Sequence, residues 1–168
     1  MRTDEFHIAS VVLMAGYSRR MGHLKQHVML NGKTFLDYII EKLQIFQNEI
    51  ITKIFVGQER DKLGQQKVKN CSGIWISNLN PDDGPISSIR LALDEITSSV
   101  DAIMLWPTDH PMIEYKTLEK LIASFNKKPD FITLPSDGIH RGHPAIFPKW
   151  CFDYFKHQEL NNGAKTLL

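Results

Sequence analysis

The chain has 168 residues, with 20 Lys and Arg against 19 Asp and Glu and a net charge of +1. That length supports one domain with its own core. The near-neutral balance, without a basic face interleaved with aromatics, excludes nucleic acid as a partner and makes any basic site a local one.

The first ten residues carry charges of both signs and no long apolar segment follows, so neither a signal peptide nor a membrane partner is expected. Cys71 and Cys151 sit in apolar surroundings with no Cys or His at ligand spacing. They read as reduced core thiols of a cytoplasmic protein. The seven histidines show no zinc spacing either.

In chain order, residues 8–14 form a buried strand and 34–46 have helical apolar spacing. A second strand covers 51–56, ended by Gly57, and the polar stretch 58–69 holds a short helix. A third strand covers 74–76. A helix follows over 85–96, with Gly84-Pro85 at its start, where proline is preorganised for helix. A fourth strand runs over 102–106, a helix over 114–125, a fifth strand over 131–134, a further strand over 145–147, and a last helix over 150–157. This alternation predicts an α/β fold, a three-layer α/β/α sandwich around a mostly parallel sheet. Ligands of such sheets lie beyond the carboxyl ends of the strands. Four loops therefore matter: 15–25, 78–85, 107–111 and 135–144.

The first of these follows the apolar run of "VVLMAGYSRRMGHLK", residues 11–25. Gly16 and Gly22 let backbone approach a ligand. Ser18 adds a small donor, and Arg19, Arg20 and Lys25 supply charge. The set suits a nucleoside triphosphate, and by composition it equally suits a solvated basic loop. It is not a Walker loop, because His27 stands where the first glycine before Gly32-Lys33-Thr34 would be. Nor is it a dinucleotide fingerprint, since Tyr17-Ser18 follows Gly16.

"LMAGYSRRMGHLK" resembles the signature L-[AG]-[AG]-G-x-S-x-R-M-G-x-x-K of the MobA-like NTP transferase family, which includes molybdenum cofactor guanylyltransferases and cytidylyltransferases. Gly16, Ser18, Arg20, Met21, Gly22 and Lys25 match at the right spacing. "DDGPISSIRLAL" resembles the family's G-P-[LI] block and "LWPTDHPMI" its D-x-P block. "RGHPAIF" resembles the R-G-H-P block of the cytidylyltransferase-like branch. The resemblance spans nearly the whole chain and implies the fold of nucleotide-diphospho-sugar transferases.

It also implies a magnesium-dependent reaction in which a phosphorylated acceptor attacks the α-phosphorus of an NTP and pyrophosphate leaves. Arg20, Lys25 and Asp109 would be catalytic, with Asp109 also the Mg2+ ligand. Leu13, Ala15, Gly16, Ser18, Asn80, Asp82, Gly84 and Pro85 would bind the nucleotide. Asp82-Asp83-Gly84-Pro85 serves equally as a helix-capping turn. Arg141, Gly142 and His143 would bind the acceptor, with His110 and His140 as bystanders. Ala15, where guanylyltransferases carry a second glycine, favours CTP over GTP, and the acceptor would be molybdopterin or a similar phosphorylated pterin. The alternatives are a sugar- or alditol-phosphate nucleotidyltransferase and a non-catalytic nucleotide- or cofactor-binding module that serves a molybdoenzyme.

Two departures stand out. Met14 replaces a small residue before Ala15-Gly16. The chain ends in "ELNNGAKTLL" where the family continues with another strand and a second acidic metal ligand, so residues 1–168 are expected to be one nucleotidyltransferase domain lacking its C-terminal part.

Overall fold

A computed structural model describes residues 6–16, 22–158 and 163–167. Two predicted site residues, Ser18 and Arg20, lie outside the described residues, as does Arg19.

The central sheet has the order β5-β4-β1-β6-β7. Its strands are β1 (Ile8–Leu13), β4 (Ile50–Gly57), β5 (Ile74–Ser77), β6 (Ala102–Pro107) and β7 (Ala145–Pro148). The first four are parallel and β7 runs antiparallel to β6. Along β1 every other side chain goes to the opposite layer, as the pleat requires. Ile8 and Val12 join one cluster with Leu36, Ile39 and Leu43 of α1 (Phe35–Ile45), Val68 of α2 (Lys62–Asn70) and Phe125 of α4 (Tyr115–Lys127). Ala9 and Val11 join the other, with Ile89 and Ala92 of α3 (Pro85–Asp94) and Phe155 of α5 (Cys151–His157). The sheet is thus covered on both faces, the expected three-layer α/β/α sandwich.

Chain order fixes where a ligand fits. From β1 the chain moves outward to β4 and β5, then returns to place β6 on the other side of β1. The loops after β1 and β6 lie side by side there, at the carboxyl ends of adjacent strands, where such sheets bind ligands.

Two elements differ from the expectation. Residues 131–134 form no strand of the sheet, and Thr133 makes only an isolated bridge with Ile146. Phe131 is 65% exposed and Pro135, which has no N–H, follows at once, so the ladder cannot extend. A small hairpin unforeseen in the sequence joins β2 (Met29–Leu30) to β3 (Lys33–Thr34). Asn31 and Gly32 turn it, both at positive φ (49° and 82°), as a two-residue hairpin loop demands. Thr34 then caps α1: its hydroxyl accepts from Asp37 N–H while the Asp37 carboxylate accepts from Thr34 N–H.

Candidate functional site

The crevice is a cavity of about 1520 Å³. Each of the four loops singled out in the sequence contributes to its wall, from Ala15, Gly16 and Lys25 through Gly84 and Pro85 to Asp109 and the stretch Arg141–His143.

The loop after β6 is built to hold Asp109 still. His110 N–H donates to Pro107 carbonyl (3.1 Å), closing a turn, and the buried Trp106 indole donates to His110 carbonyl (2.9 Å). Thr108 N–H donates to Leu13 carbonyl (3.1 Å), so the ends of β1 and β6 are stitched together. Across this join Lys25 Nζ donates to Asp109 Oδ2 at 3.0 Å. Both side chains are about two-fifths exposed, on the cavity wall. Burial alone would raise the Asp109 carboxyl, but the Lys25 hydrogen bond and charge, with His110 beside it, hold it below the usual carboxylate range. Asp109 is the one carboxylate on the wall among the described residues.

Gly16 and Gly84 both line the cavity. Among the described residues, a Cβ on Gly16 would meet no atom within 4 Å, nor would one on Gly84, whose φ of +78° starts α3. Ser87 Oγ, which receives an N–H of Asn78, donates to Gly84 carbonyl (2.8 Å). The sequence reading overlooked Asn78. It is buried, bonds Ser87 and Ser88 through Nδ2, and accepts from Asn80 N–H, so it ties the whole 78–88 turn. Asn80 itself lines a separate shallow pocket beside Arg90, and Asp82 is an exposed residue of the turn rather than a wall residue. Leu13 is on the wall with Ala15.

Residues 135–142 form a tight turn that also lines the cavity. Gly142 N–H donates to Pro135 carbonyl (2.7 Å), and Ser136 bridges Arg141. Asp137 accepts from the N–H of His140 (2.6 Å) and Ile139 (2.9 Å) and lies 3.1 Å from His140 Nδ1. These bonds pull its carboxyl down to about 2. The turn lines the cavity with Ile139, His140, Arg141 and Gly142, and His143 follows on the same wall. His110 packs its ring on that of His143 at 4.9 Å. Burial, then the nearby His110, lowers the His143 imidazole and outweighs the opposing Asp109. Gly163, Ala164 and Lys165 of the C-terminal 3-10 turn also reach this wall. The sequence reading missed Lys165, because nothing local connects that segment with the strand ends.

Among the described residues no group of three or more His, Cys, Asp or Glu could hold a metal ion. The half-exposed Asp109 fits a different arrangement, in which a hard cation takes one protein carboxylate and fills its shell with phosphate oxygens and water.

A mostly parallel three-layer sandwich with a crevice lined by glycines, Lys25 and Arg141 at the strand-order reversal is the architecture in which α/β domains bind ligands beyond their strand ends. Residues 10–168 match the MobA-like NTP transferase domain, and the chain belongs to that family. It is 32% identical over 173 residues to the bifunctional protein GlmU of Buchnera aphidicola, covering 99% of this chain but 36% of that protein. It is 27% identical over 139 residues to a probable molybdenum cofactor guanylyltransferase of Flavobacterium johnsoniae, covering 83% of this chain and 66% of the relative. The crystal structure of Rv0371c from Mycobacterium tuberculosis shares the fold at a TM-score of 0.77 and 21% identity, over 98% of this chain and 82% of that one. No helix among the described residues is long and apolar enough to cross a membrane.

Proposed function

We propose that this domain is a nucleotidyltransferase that passes CMP from CTP to the terminal phosphate of molybdopterin or a close phosphorylated pterin. The observation that carries the reading is the Lys25–Asp109 pair on the wall of a cavity that Arg141 and Lys165, from remote segments of the chain, also line. Several cations on one cavity suit two phosphorylated substrates brought together.

In the reaction, an oxygen of the acceptor's terminal phosphate forms a bond to the α-phosphorus. The bond from that phosphorus to the α,β-bridging oxygen breaks, and pyrophosphate departs with the electron pair. The protein supplies position and charge. Lys25, with Arg20, neutralises charge growing on pyrophosphate. The open space over Gly16 lets the nucleotide lie against backbone. Arg141 and His143 receive the acceptor, with His110 packed behind His143. Asp109 would hold Mg2+, which supplies charge neutralisation between phosphate oxygens when bound.

Ala15 supports CTP, since its methyl narrows the wall where a second glycine would leave room for a purine. The Flavobacterium relative is named a guanylyltransferase, so the base is decided by experiment. Turnover is measured with MgCTP and MgGTP in separate reactions with molybdopterin, following pyrophosphate release. A higher kcat/KM for CTP is expected. Preference for GTP would overturn the base assignment, and no release with either nucleotide would overturn the reaction.

A further inference from the structure

The connection between β4 and α2, residues 58–61, supplies no wall residue to the cavity, yet it grips the chain on both sides of the glycine-rich loop. Gln58 is 5% exposed. Its Nε2 donates to the carbonyls of Ala15 (3.0 Å) and Gly16 (3.1 Å), and its Oε1 accepts from Arg60 Nε (2.8 Å). An amide nitrogen has two protons, and both go to the loop's first residues. The opposite orientation of the amide would set oxygen against two carbonyls and NH2 against a guanidinium, so the partners dictate this one.

Asp61 is 4% exposed and holds the other end. Its carboxylate accepts from Gln26 Nε2 (2.6 Å) and Gly64 N–H (2.8 Å), and its Oδ1 lies 2.7 Å from His27 Nε2. A carboxylate only accepts, so the Nε2 tautomer of His27 is the donor there. Lys25, Gln26 and His27 form a single 3-10 turn. Two of its three side chains are tied to Asp61, and the third, Lys25, extends to Asp109. Gln26 is fully buried, so the anchor lies beneath the turn.

We propose that Gln58 and Asp61 are positioning residues for the nucleotide. Held on one short connection, they set the separation between Gly16, where backbone meets the ligand, and Lys25, which meets the phosphates. The inference rests on the proposed function, because it takes the ligand of this loop to be an NTP.

The test uses Gln58→Leu, which keeps bulk and removes both donors, and Asp61→Asn, which keeps shape and removes an acceptor. MgCTP and MgGTP affinities are measured by calorimetry for wild type and variants, together with KM for nucleotide, KM for molybdopterin, kcat and the melting curve without ligand. We expect the nucleotide Kd and KM to rise about tenfold or more in each variant, by loss of preorganisation, while the KM for molybdopterin stays within about twofold. A residue with a merely structural role would lower kcat through a smaller active fraction and leave the nucleotide KM unchanged, and that result overturns the inference. Equal nucleotide affinity in wild type and variants overturns it too. Absence of nucleotide binding by wild type overturns the proposed function and this inference together. Gln58→Leu decides the matter alone if Asp61→Asn does not fold.

Discussion

Lys25 Nζ and Asp109 Oδ2 stand 3.0 Å apart, joining the loop after β1 to the loop after β6 at the point where the strand order reverses. The pair contributes little to folding, because both groups are about two-fifths exposed and such pairs are worth about 0–1 kcal/mol. Its value lies in the ligand. Lys25→Met should therefore shift the melting temperature by no more than about 4 °C. The same change should cut kcat/KM by about 10- to 100-fold, the cost of one charge-assisted hydrogen bond. Differential scanning calorimetry and steady-state kinetics on one preparation check both. A large loss of stability with normal kinetics would show that the lysine serves the fold.

Gly16 and Gly84 make a matched contrast. A Cβ at either position meets nothing within 4 Å among the described residues, but only Gly84 of the two has positive φ, at +78° with ψ near 180°. Gly84→Ala should destabilise by about 1–3 kcal/mol through backbone strain alone. Gly16→Ala should melt within about 2 °C of wild type and yet weaken nucleotide binding, since the added methyl occupies the ligand's space. Thermal melts read the first effect and nucleotide titration the second. Unaltered affinity in Gly16→Ala would remove that glycine from the site.

The Asp37 carboxylate accepts from Thr34 and pairs with Lys67. Burial raises its pKa, but the Lys67 and Thr34 hydrogen bonds outweigh it and the net shift is downward. Because the folded value lies below the unfolded one, the unfolded state binds more protons between the two. The stabilisation is fully present above about pH 4 and disappears as pH falls through the folded pKa. Asp37→Asn should lose stability at pH 7 and show a flatter decline on acidification than wild type. Urea melts from pH 2 to 7 read it, and parallel curves would refute it.

Much of the fold was legible because each signal was local. Apolar periodicity marked β1, α1 and α4, and Gly84-Pro85 marked the start of α3. The strand-end rule then brought distant loops to one place, and Lys25, Gly84, Asp109 and Arg141 do share a wall. What was missed depends on contacts between remote segments. Nothing in a polar stretch such as 58–69 reveals that Gln58 reaches Ala15 or that Asp61 reaches Gln26. Likewise His110 packs on His143 from 33 positions away in the chain, and Lys165 arrives from the C-terminal turn. The hairpin turn Asn31-Gly32 is a local signal, but the two-residue strands it joins are too short to show alternation. Phe131–Leu134 has strand composition and still fails to pair beyond Thr133, because Pro135 interrupts it.

The central claim is that a nucleoside triphosphate lies at this crevice with Asp109 as the cation's protein ligand. Calorimetric titration of wild type and Asp109→Ala with CTP and GTP, with and without magnesium, tests it most directly. The account predicts magnesium-dependent binding by wild type, tighter for CTP, and loss of the magnesium dependence in Asp109→Ala with the fold intact by circular dichroism. Binding that ignores both magnesium and Asp109, or no binding of either nucleotide, would contradict it.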